Sequence, residues 1–213
     1  MSESAVATKA GGWSALSRQA VLDRAEQAVI VIMFCSLVWR VFHSENPFAP
    51  VLLTEGAVVF FVLIRRRAST ISVRLGDWLL AITATAAPLL ILPGDASPEM
   101  LIVPGVLLVA LGTLFQLWAK LTLRRSFGIA PANRGVKVSG PYTVMRHPMY
   151  AGYLTTHIGM FMLYPSLLNL TIYVIGWWAQ VLRLLAEERL LSEDEAYREF
   201  RQKVRYRLIP GVF

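Results

Sequence analysis

Long apolar runs, separated by short polar segments, recur along this sequence. They cover residues 25–42, 51–64, 78–92, 100–123 and 149–185. A helix needs about 20 mostly apolar residues to cross the hydrocarbon core of a bilayer. The last run is too long for one such helix and is broken at its Tyr-Pro-Ser sequence, which predicts a helical hairpin. The pattern therefore predicts an all-α, polytopic membrane helical bundle of about six transmembrane helices, with five as the alternative.

The composition agrees with this class of fold. Hydrophobic residues make up 55% of the chain. Charged residues make up 16%, against about 25% in soluble domains. Because membrane helices and their connections take up most of the 213 residues, we expect no separate soluble catalytic domain. The single cysteine, Cys35, lies inside an apolar run, which excludes a disulfide framework and a cysteine metal cluster.

Lys and Arg residues are concentrated in alternate connections between the apolar runs. The connections at residues 43–50, 93–99 and 164–169 carry none, whereas residues 65–74 and 124–148 are rich in them. The positive-inside rule then places both termini and the active site in the cytosol, at what we expect to be a bacterial inner membrane. The net charge of +7 is spread over the ends of the runs, so we expect no nucleic-acid partner.

The connection at residues 124–148 differs in character from the rest of the chain. It is rich in Arg, Gly and Pro, and long polar loops between packed helices are often functional. It divides the chain into residues 1–123, with about four spans, and a catalytic part at residues 124–213. This second part would contain the loop, the helical hairpin and a charged amphipathic helix in the cytosol. No sequence signal indicates the oligomeric state.

The end of this loop carries the first group of candidate residues. Pro148 suits the first position of a helix, so His147 is expected at the N-cap. A helix N-terminus presents unpaired N–H groups and favours a bound carboxylate or phosphate. Tyr150, Tyr153 and His157 follow at helical spacing and share one face. That face is either a binding surface or ordinary aromatic packing.

A second group lies at the end of the last apolar run. The adjacent carboxylates of Glu187 and Glu188 point about 100° apart on a helix, so one can face the bundle. Because the hairpin connection is short, we expect His147 and Tyr150 to face this pair. Such a cleft suits a zwitterionic ligand. The alternative is a solvated helix end in which Arg183 pairs with Glu187.

Polar residues also occur inside the apolar runs. His157 and Gln180 lie deep in their runs, and polar groups in membranes usually face the bundle interior or a cavity. Glu55 lies near the outer end of the second run, where we expect an interfacial position.

Short motifs in the second half of the chain resemble one protein family. They are Gly140-Pro141-Tyr142, Arg146-His147-Pro148-Met149-Tyr150-Ala151-Gly152, Glu187-Glu188-Arg189-Leu190-Leu191, Tyr197 and the terminal Arg207-Leu208-Ile209-Pro210-Gly211-Val212. Together they resemble the isoprenylcysteine carboxyl methyltransferase and phospholipid methyltransferase superfamily of integral membrane enzymes, over roughly residues 120–213. The chain departs from that pattern at residues 204–207, which lack the proline often found before the last basic motif.

The resemblance implies a cytosol-facing pocket for S-adenosylmethionine, with S-adenosylhomocysteine as the product. It also implies a lipophilic acceptor that enters from the bilayer lipids. Arg146 would lie near the donor carboxylate, and Glu187 or Glu188 would bind its amino group. Carried over residue by residue, the cofactor-binding set is Tyr142, Arg146, His147, Pro148, Tyr150, Gly152, Glu187 and Glu188.

Methyl transfer from a sulfonium needs positioning, a dry cleft and an aligned nucleophile, without a metal or a covalent residue. A carboxylate acceptor, the default that the resemblance implies, needs only a cation to orient it. Arg183, Arg189 and Arg205 are the candidates. An amine acceptor would need a base, for which His157 or a glutamate is the candidate.

Two other functions compete with this one. An NADPH-dependent membrane reductase similar to the sterol reductases would share the Arg-His-Pro-x-Tyr segment, but the adjacent Glu187 and Glu188 favour the methyltransferase. A non-enzymatic small transporter or scaffold would predict broken helices in both halves of the chain, whereas these motifs are concentrated in one half.

Overall fold

The computed structural model of the chain describes residues 3–43, 50–92 and 97–213. The described part is mostly helical, with only two short strands, which confirms the predicted all-α class. The helices are α1 (Glu3–Phe42), α2 (Pro50–Ile64), α3 (Leu75–Ala86), α4 (Glu99–Leu123), α5 (Pro148–Leu163), α6 (Leu167–Leu191) and α7 (Glu195–Lys203). Short 3-10 turns occupy Ala87–Leu90, Arg124–Ser126 and Gly140–Thr143, and the short strands β1 (Thr70–Ile71) and β2 (Ala132–Asn133) pair in antiparallel fashion.

The apolar runs form the membrane helices of an integral membrane protein. Arg18–Phe42, Glu99–Ser126 and Leu167–Leu191 are long and apolar enough to cross a bilayer. Glu55–Ile64 and Leu75–Leu90 are shorter apolar helices. α5 has 16 residues. The membrane bundle is thus confirmed, while the count of six spans and the cytosolic side stay predictions.

The connections rich in Lys and Arg meet at one end of the bundle, which we call the basic end. There the N–H of Arg66 donates to the carbonyl of Arg125 at 2.7 Å, and β1 pairs with β2. At the other end, the side chain of Asn169 bonds to both backbone groups of Leu92, at 2.9 and 3.2 Å. The connections therefore alternate between two ends, as the distribution of basic residues indicated.

Glycines bring α4 and α5 into close contact. A Cβ on Gly152 would lie 2.7 Å from the backbone nitrogen of Gln116. A Cβ on Gly112 would lie 2.5 Å from that of Thr156, and one on Gly159 would lie 2.7 Å from a carbonyl of α4. Small residues let membrane helices approach in this way. Gly152, predicted to contact the cofactor, therefore makes room for α4 instead.

The predicted hairpin of α5 and α6 is open over most of its length. α5 packs mainly along α4, whereas α6 packs mainly along α3. The two helices approach at the basic end, where His147 Nε2 lies 3.3 Å from Glu188 Oε1. Away from that end a cavity separates them, with walls from α2, α3, α5 and α6.

Candidate active site

Glu188 is the centre of a buried cluster that joins α5, α6 and the C-terminal tail. Its Oε1 accepts from Arg146 Nε at 2.6 Å and lies 3.3 Å from His147 Nε2. Its Oε2 accepts from Arg207 Nε at 2.8 Å, and the Tyr197 hydroxyl donates to Oε1 at 3.3 Å. We call these five side chains the Glu188 cluster. Since both carboxylate oxygens are bonded inside the protein, the geometry argues against the predicted contact between Glu188 and the cofactor.

The tail also covers the start of α5. The N–H groups of Arg146 and His147 donate to the carbonyls of Tyr206 and Arg207, at 2.9 and 2.8 Å. Arg146 Nη1 donates to two further tail carbonyls, at 2.9 and 2.8 Å. The two backbone N–H groups just before α5 are therefore satisfied by the tail, and the Arg146 guanidinium is largely used.

A polar pocket of about 670 Å³ lies between the Glu188 cluster and the loop that follows α4. Glu187 reaches it from α6, and its Oε2 accepts from the Tyr150 hydroxyl at 2.8 Å. Arg134 and Lys137 bring positive charge to the same pocket from the loop. The lining therefore combines one carboxylate with three cations, of which Arg146 is the third.

Aromatic rings form much of the wall of this polar pocket. Burial raises the pKa of Tyr142 and Tyr197 well above the usual value for a phenol, and the negative charges nearby add to the effect. Both hydroxyls consequently stay protonated at neutral pH. The rings offer flat faces on which a nucleobase can stack. They belong to Phe127, Tyr142, Tyr150, Tyr197 and Phe200.

A second space, which we call the membrane cavity, lies between the separated parts of α5 and α6. It spans about 680 Å³, including space that is open to the outside, and is lined mostly by apolar residues. Its polar lining residues include Glu55, His157, Gln180 and Arg183. Gln180 and Arg183 are 6% and 4% exposed. Gln180 Nε2 and Arg183 Nε have no hydrogen-bond partner among the described residues. A buried donor without a partner is costly, so these two atoms suit a ligand that enters the cavity.

The polar pocket and the membrane cavity are neighbours. Phe127 lines both of them. Arg183, in the wall of the membrane cavity, lies with its guanidinium carbon 5.3 Å from the ring centre of Tyr150, which lines the polar pocket. The two spaces are therefore adjacent, with the side chains of Phe127 and Tyr150 between them.

The predicted cofactor residues are only partly gathered in the polar pocket. Pro148 is buried at the first position of α5, and Gly152 lies at the contact with α4. Neither residue lines either space. Glu188 lies behind the pocket wall, in its own cluster. The predicted residues that line the polar pocket are Tyr142, Arg146, His147, Tyr150 and Glu187.

The predicted catalytic arginines separate in the same way. Arg183 lines the membrane cavity. Arg189 pairs with Asp77 at 2.8 Å and is 48% exposed, and the Arg205 side chain is exposed on the tail. Because Arg189 and Arg205 line neither space, the structure gives no support to their predicted role in orienting the acceptor.

His157 lines the membrane cavity, but its hydrogen bond bears on the predicted role as a base. Trp177 Nε1 lies 3.1 Å from His157 Nδ1, and an indole N–H can only donate. The neutral imidazole then carries its proton on Nε2. In this tautomer the ring donates to a ligand rather than accepting a proton from it, so the geometry argues against a base at this position.

Two members of the membrane cavity were not predicted as site residues. Gln180 lines the cavity from α6 and Glu55 lines it from α2, whereas the expected interfacial position of Glu55 stays a prediction. The signal for both was a polar residue within an apolar run, which usually faces the bundle interior.

Comparison with known families supports the same region of the chain. Residues 100–198 match the family model described as phospholipid methyltransferase. The match begins in α4 and ends in α7, so it includes the long loop, α5 and the acidic pair of α6. No curated protein shows significant similarity to the chain. Over these residues the chain is therefore similar to the phospholipid methyltransferases, which confirms the resemblance of its motifs.

Proposed function

We propose that this protein transfers a methyl group from S-adenosylmethionine, bound in the polar pocket, to a lipophilic acceptor in the membrane cavity. The contact between the two spaces is the observation that supports this most directly. Phe127 belongs to both walls, and Arg183 of the cavity stacks on Tyr150 of the pocket. The water-soluble donor and the lipophilic acceptor would therefore face each other, each from its own space.

The side chains of the polar pocket fit a zwitterionic nucleoside donor. The Glu187 carboxylate suits the donor's amino group, and the hydroxyl of Tyr150 fixes its orientation through the 2.8 Å hydrogen bond. Lys137 suits the donor's carboxylate, because the Arg146 guanidinium is already bonded to Glu188 and the tail. The aromatic rings suit the adenine.

The chain itself positions the two substrates and excludes water from the reacting groups. When bound, S-adenosylmethionine supplies an electrophilic methyl group. Phe127 and Tyr150 separate water in the polar pocket from the membrane cavity, which keeps the reacting groups dry. Arg183 lies beside Tyr150, where it can orient the acceptor toward the donor.

We further propose that the acceptor is a carboxylate, as in the isoprenylcysteine carboxyl methyltransferases. Arg183 Nε and Gln180 Nε2 are donors without partners among the described residues, in a cavity whose wall is mostly apolar, and they lie one turn apart on α6. A carboxylate would satisfy both and needs no base. His157, in the tautomer set by Trp177, would also donate rather than take a proton.

Calorimetry on the purified protein in detergent tests the donor. We expect binding of S-adenosylmethionine and S-adenosylhomocysteine and none of NADPH. Binding of NADPH alone would instead support a reductase similar to the sterol reductases. Binding of neither would contradict an enzyme of either kind and favour the transporter or scaffold.

Mass spectrometry of lipid extracts tests the acceptor. The protein is incubated with the extract and a donor that carries an isotopically labelled methyl group. We expect label in an apolar acid as a methyl ester, which mild alkali removes. Label that resists alkali would indicate an amine acceptor and contradict the carboxylate assignment.

A further inference from the structure

Two carboxylates of α1 form a buried ion-pair network with the basic connections. Asp23 Oδ1 lies 2.8 Å from Arg65 Nη2 and 2.8 Å from Arg134 Nη2. The Glu26 carboxylate lies 2.8 Å from Arg65 Nη1 and 3.0 Å from Arg134 Nη2. The side chains of Glu26 and both arginines are at most 3% exposed. Two negative and two positive charges therefore balance inside the basic end, and each depends on the others because an unpaired buried charge is strongly unfavourable.

Glu26 also binds the backbone of the loop after α4. The N–H groups of Ile129 and Ala130 donate to Glu26 Oε1, at 2.5 and 3.0 Å. Arg134 then lies against Gly128, where a Cβ would come within 2.3 Å of Arg134 Nη1. The Glu26 carboxylate thus holds residues 129–130 through their backbone N–H groups and Arg134 through its guanidinium.

The segment held in this way separates the two ligand spaces. We call residues 127–134 the partition. Phe127 lines both spaces, Gly128 and Arg134 line the polar pocket, and Ile129 lines the membrane cavity. The position of the partition therefore sets how donor and acceptor face each other.

We propose that Asp23 and Glu26 are positioning residues of the methyl transfer, which act by holding the partition between donor and acceptor. This inference rests on the proposed function. It adds two residues of α1 to those that support methyl transfer, and α1 lies outside the family match at residues 100–198. In-line transfer depends on alignment, and misplacement by about 1 Å can cost about 100-fold in rate.

Steady-state kinetics on the full chain in detergent, with Glu26→Ala and Glu26→Gln, tests the proposal. Alanine removes both the charge and the backbone acceptor, so we expect the donor KM to rise and kcat/KM to fall about 100-fold. Glutamine retains one oxygen for the N–H groups of Ile129 and Ala130, so we expect partial rescue, with a loss of about tenfold.

Asn169→Ala is the matched control, because Asn169 is 1% exposed and its side chain bonds to Leu92 and Tyr164 at the other end of the bundle. It should lower thermal stability but leave donor KM and kcat/KM within about twofold. Hydrogen–deuterium exchange gives a readout independent of catalysis. We expect faster exchange in residues 127–134 for Glu26→Ala, and no change there for Asn169→Ala.

Unchanged donor KM and unchanged exchange of the partition in both Glu26 variants would overturn the proposal. If Glu26→Ala does not fold, the same comparison is made with Glu26→Gln and Asp23→Asn, which keep the shape of the side chain. Failure of the wild-type protein to transfer methyl groups would contradict the proposed function. Slow exchange of the partition that depends on Glu26 would still establish the anchoring in that case.

Discussion

The Glu188 cluster and the membrane cavity differ in how their buried polar groups are satisfied. Behind the polar pocket, the two oxygens of Glu188 are fully used by Arg146, Arg207 and their neighbours. In the membrane cavity, Gln180 Nε2 and Arg183 Nε have no partner among the described residues. A satisfied network is a scaffold, whereas an unsatisfied buried donor suits a ligand. A charged residue in a recognisable motif is therefore not by itself a ligand contact.

The largest expected effect is a loss of stability when the Glu188 cluster is disrupted. Glu188→Gln leaves Arg146 and Arg207 without a buried counter-charge, so we expect a loss of about 3–5 kcal/mol in the free energy of unfolding. Thermal unfolding in detergent measures it. In the same assay, Glu187→Gln should unfold near the wild-type temperature but bind the donor about tenfold more weakly, since it loses a charged partner.

The opposite pattern would reverse the assignment of the two glutamates. A Glu188→Gln protein that is as stable as wild type but no longer binds the donor would show that Glu188 contacts the ligand.

The next effect concerns the membrane cavity. Arg183→Lys removes the unpartnered Nε donor and the planar guanidinium but keeps the charge, so we expect kcat/KM for the acceptor to fall about 100-fold. Donor affinity, measured by calorimetry, should change little. Arg189→Lys is the matched control, because Arg189 lines neither space, and equal losses in both variants would contradict the placement of the acceptor beside Arg183.

A smaller effect is expected for the contact between α4 and α5. A methyl group on Gly152 meets the backbone of Gln116, so Gly152→Ala should cost about 1–3 kcal/mol of stability. Donor affinity of the folded protein should stay unchanged. Gly76→Ala, where the added Cβ meets nothing within 4 Å, is the control and should not destabilise. Weaker donor binding without loss of stability would return Gly152 to the cofactor site.

The smallest expected effect is a pH dependence of stability at Asp194, which connects Asn133 of the loop to the start of α7. The hydrogen bond from Asn133 Nδ2, at 2.6 Å, and the N–H of Ala196 lower the pKa of Asp194. Its contribution is therefore complete above the ordinary Asp pKa of about 4 and is lost as pH falls through the lowered value. We expect Asp194→Ala to cost about 1 kcal/mol at pH 7, and the difference from wild type to shrink in acid. A difference that grows in acid would contradict this.

Much of the fold could be predicted because its signals are local. Apolar runs, Pro148 at a helix start and the alternation of basic connections predicted the helices and brought His147 close to Glu188, at 3.3 Å. The face that Gly152 presents depends on where α4 lies, and no local pattern reports it. The choice between Glu187 and Glu188 depends on the rotation of α6 and on Arg207 from the tail.

The anchoring of the loop was beyond sequence reasoning for the same reason. Glu26 and Ile129 are 103 residues apart in the chain, and each is unremarkable in its own segment. Only the folded arrangement shows that an acidic residue near the start of a membrane helix holds the loop that separates the two ligand spaces.

The glycine contact and the open hairpin together divide the bundle into two helix pairs. α4 packs on α5, α3 packs on α6, and the two pairs are joined at the Glu188 cluster. A small change in the angle between the pairs would change the width of the membrane cavity most and the region beside the Glu188 cluster least. In the proposed reaction, this geometry would let the acceptor enter and leave without disturbing the donor.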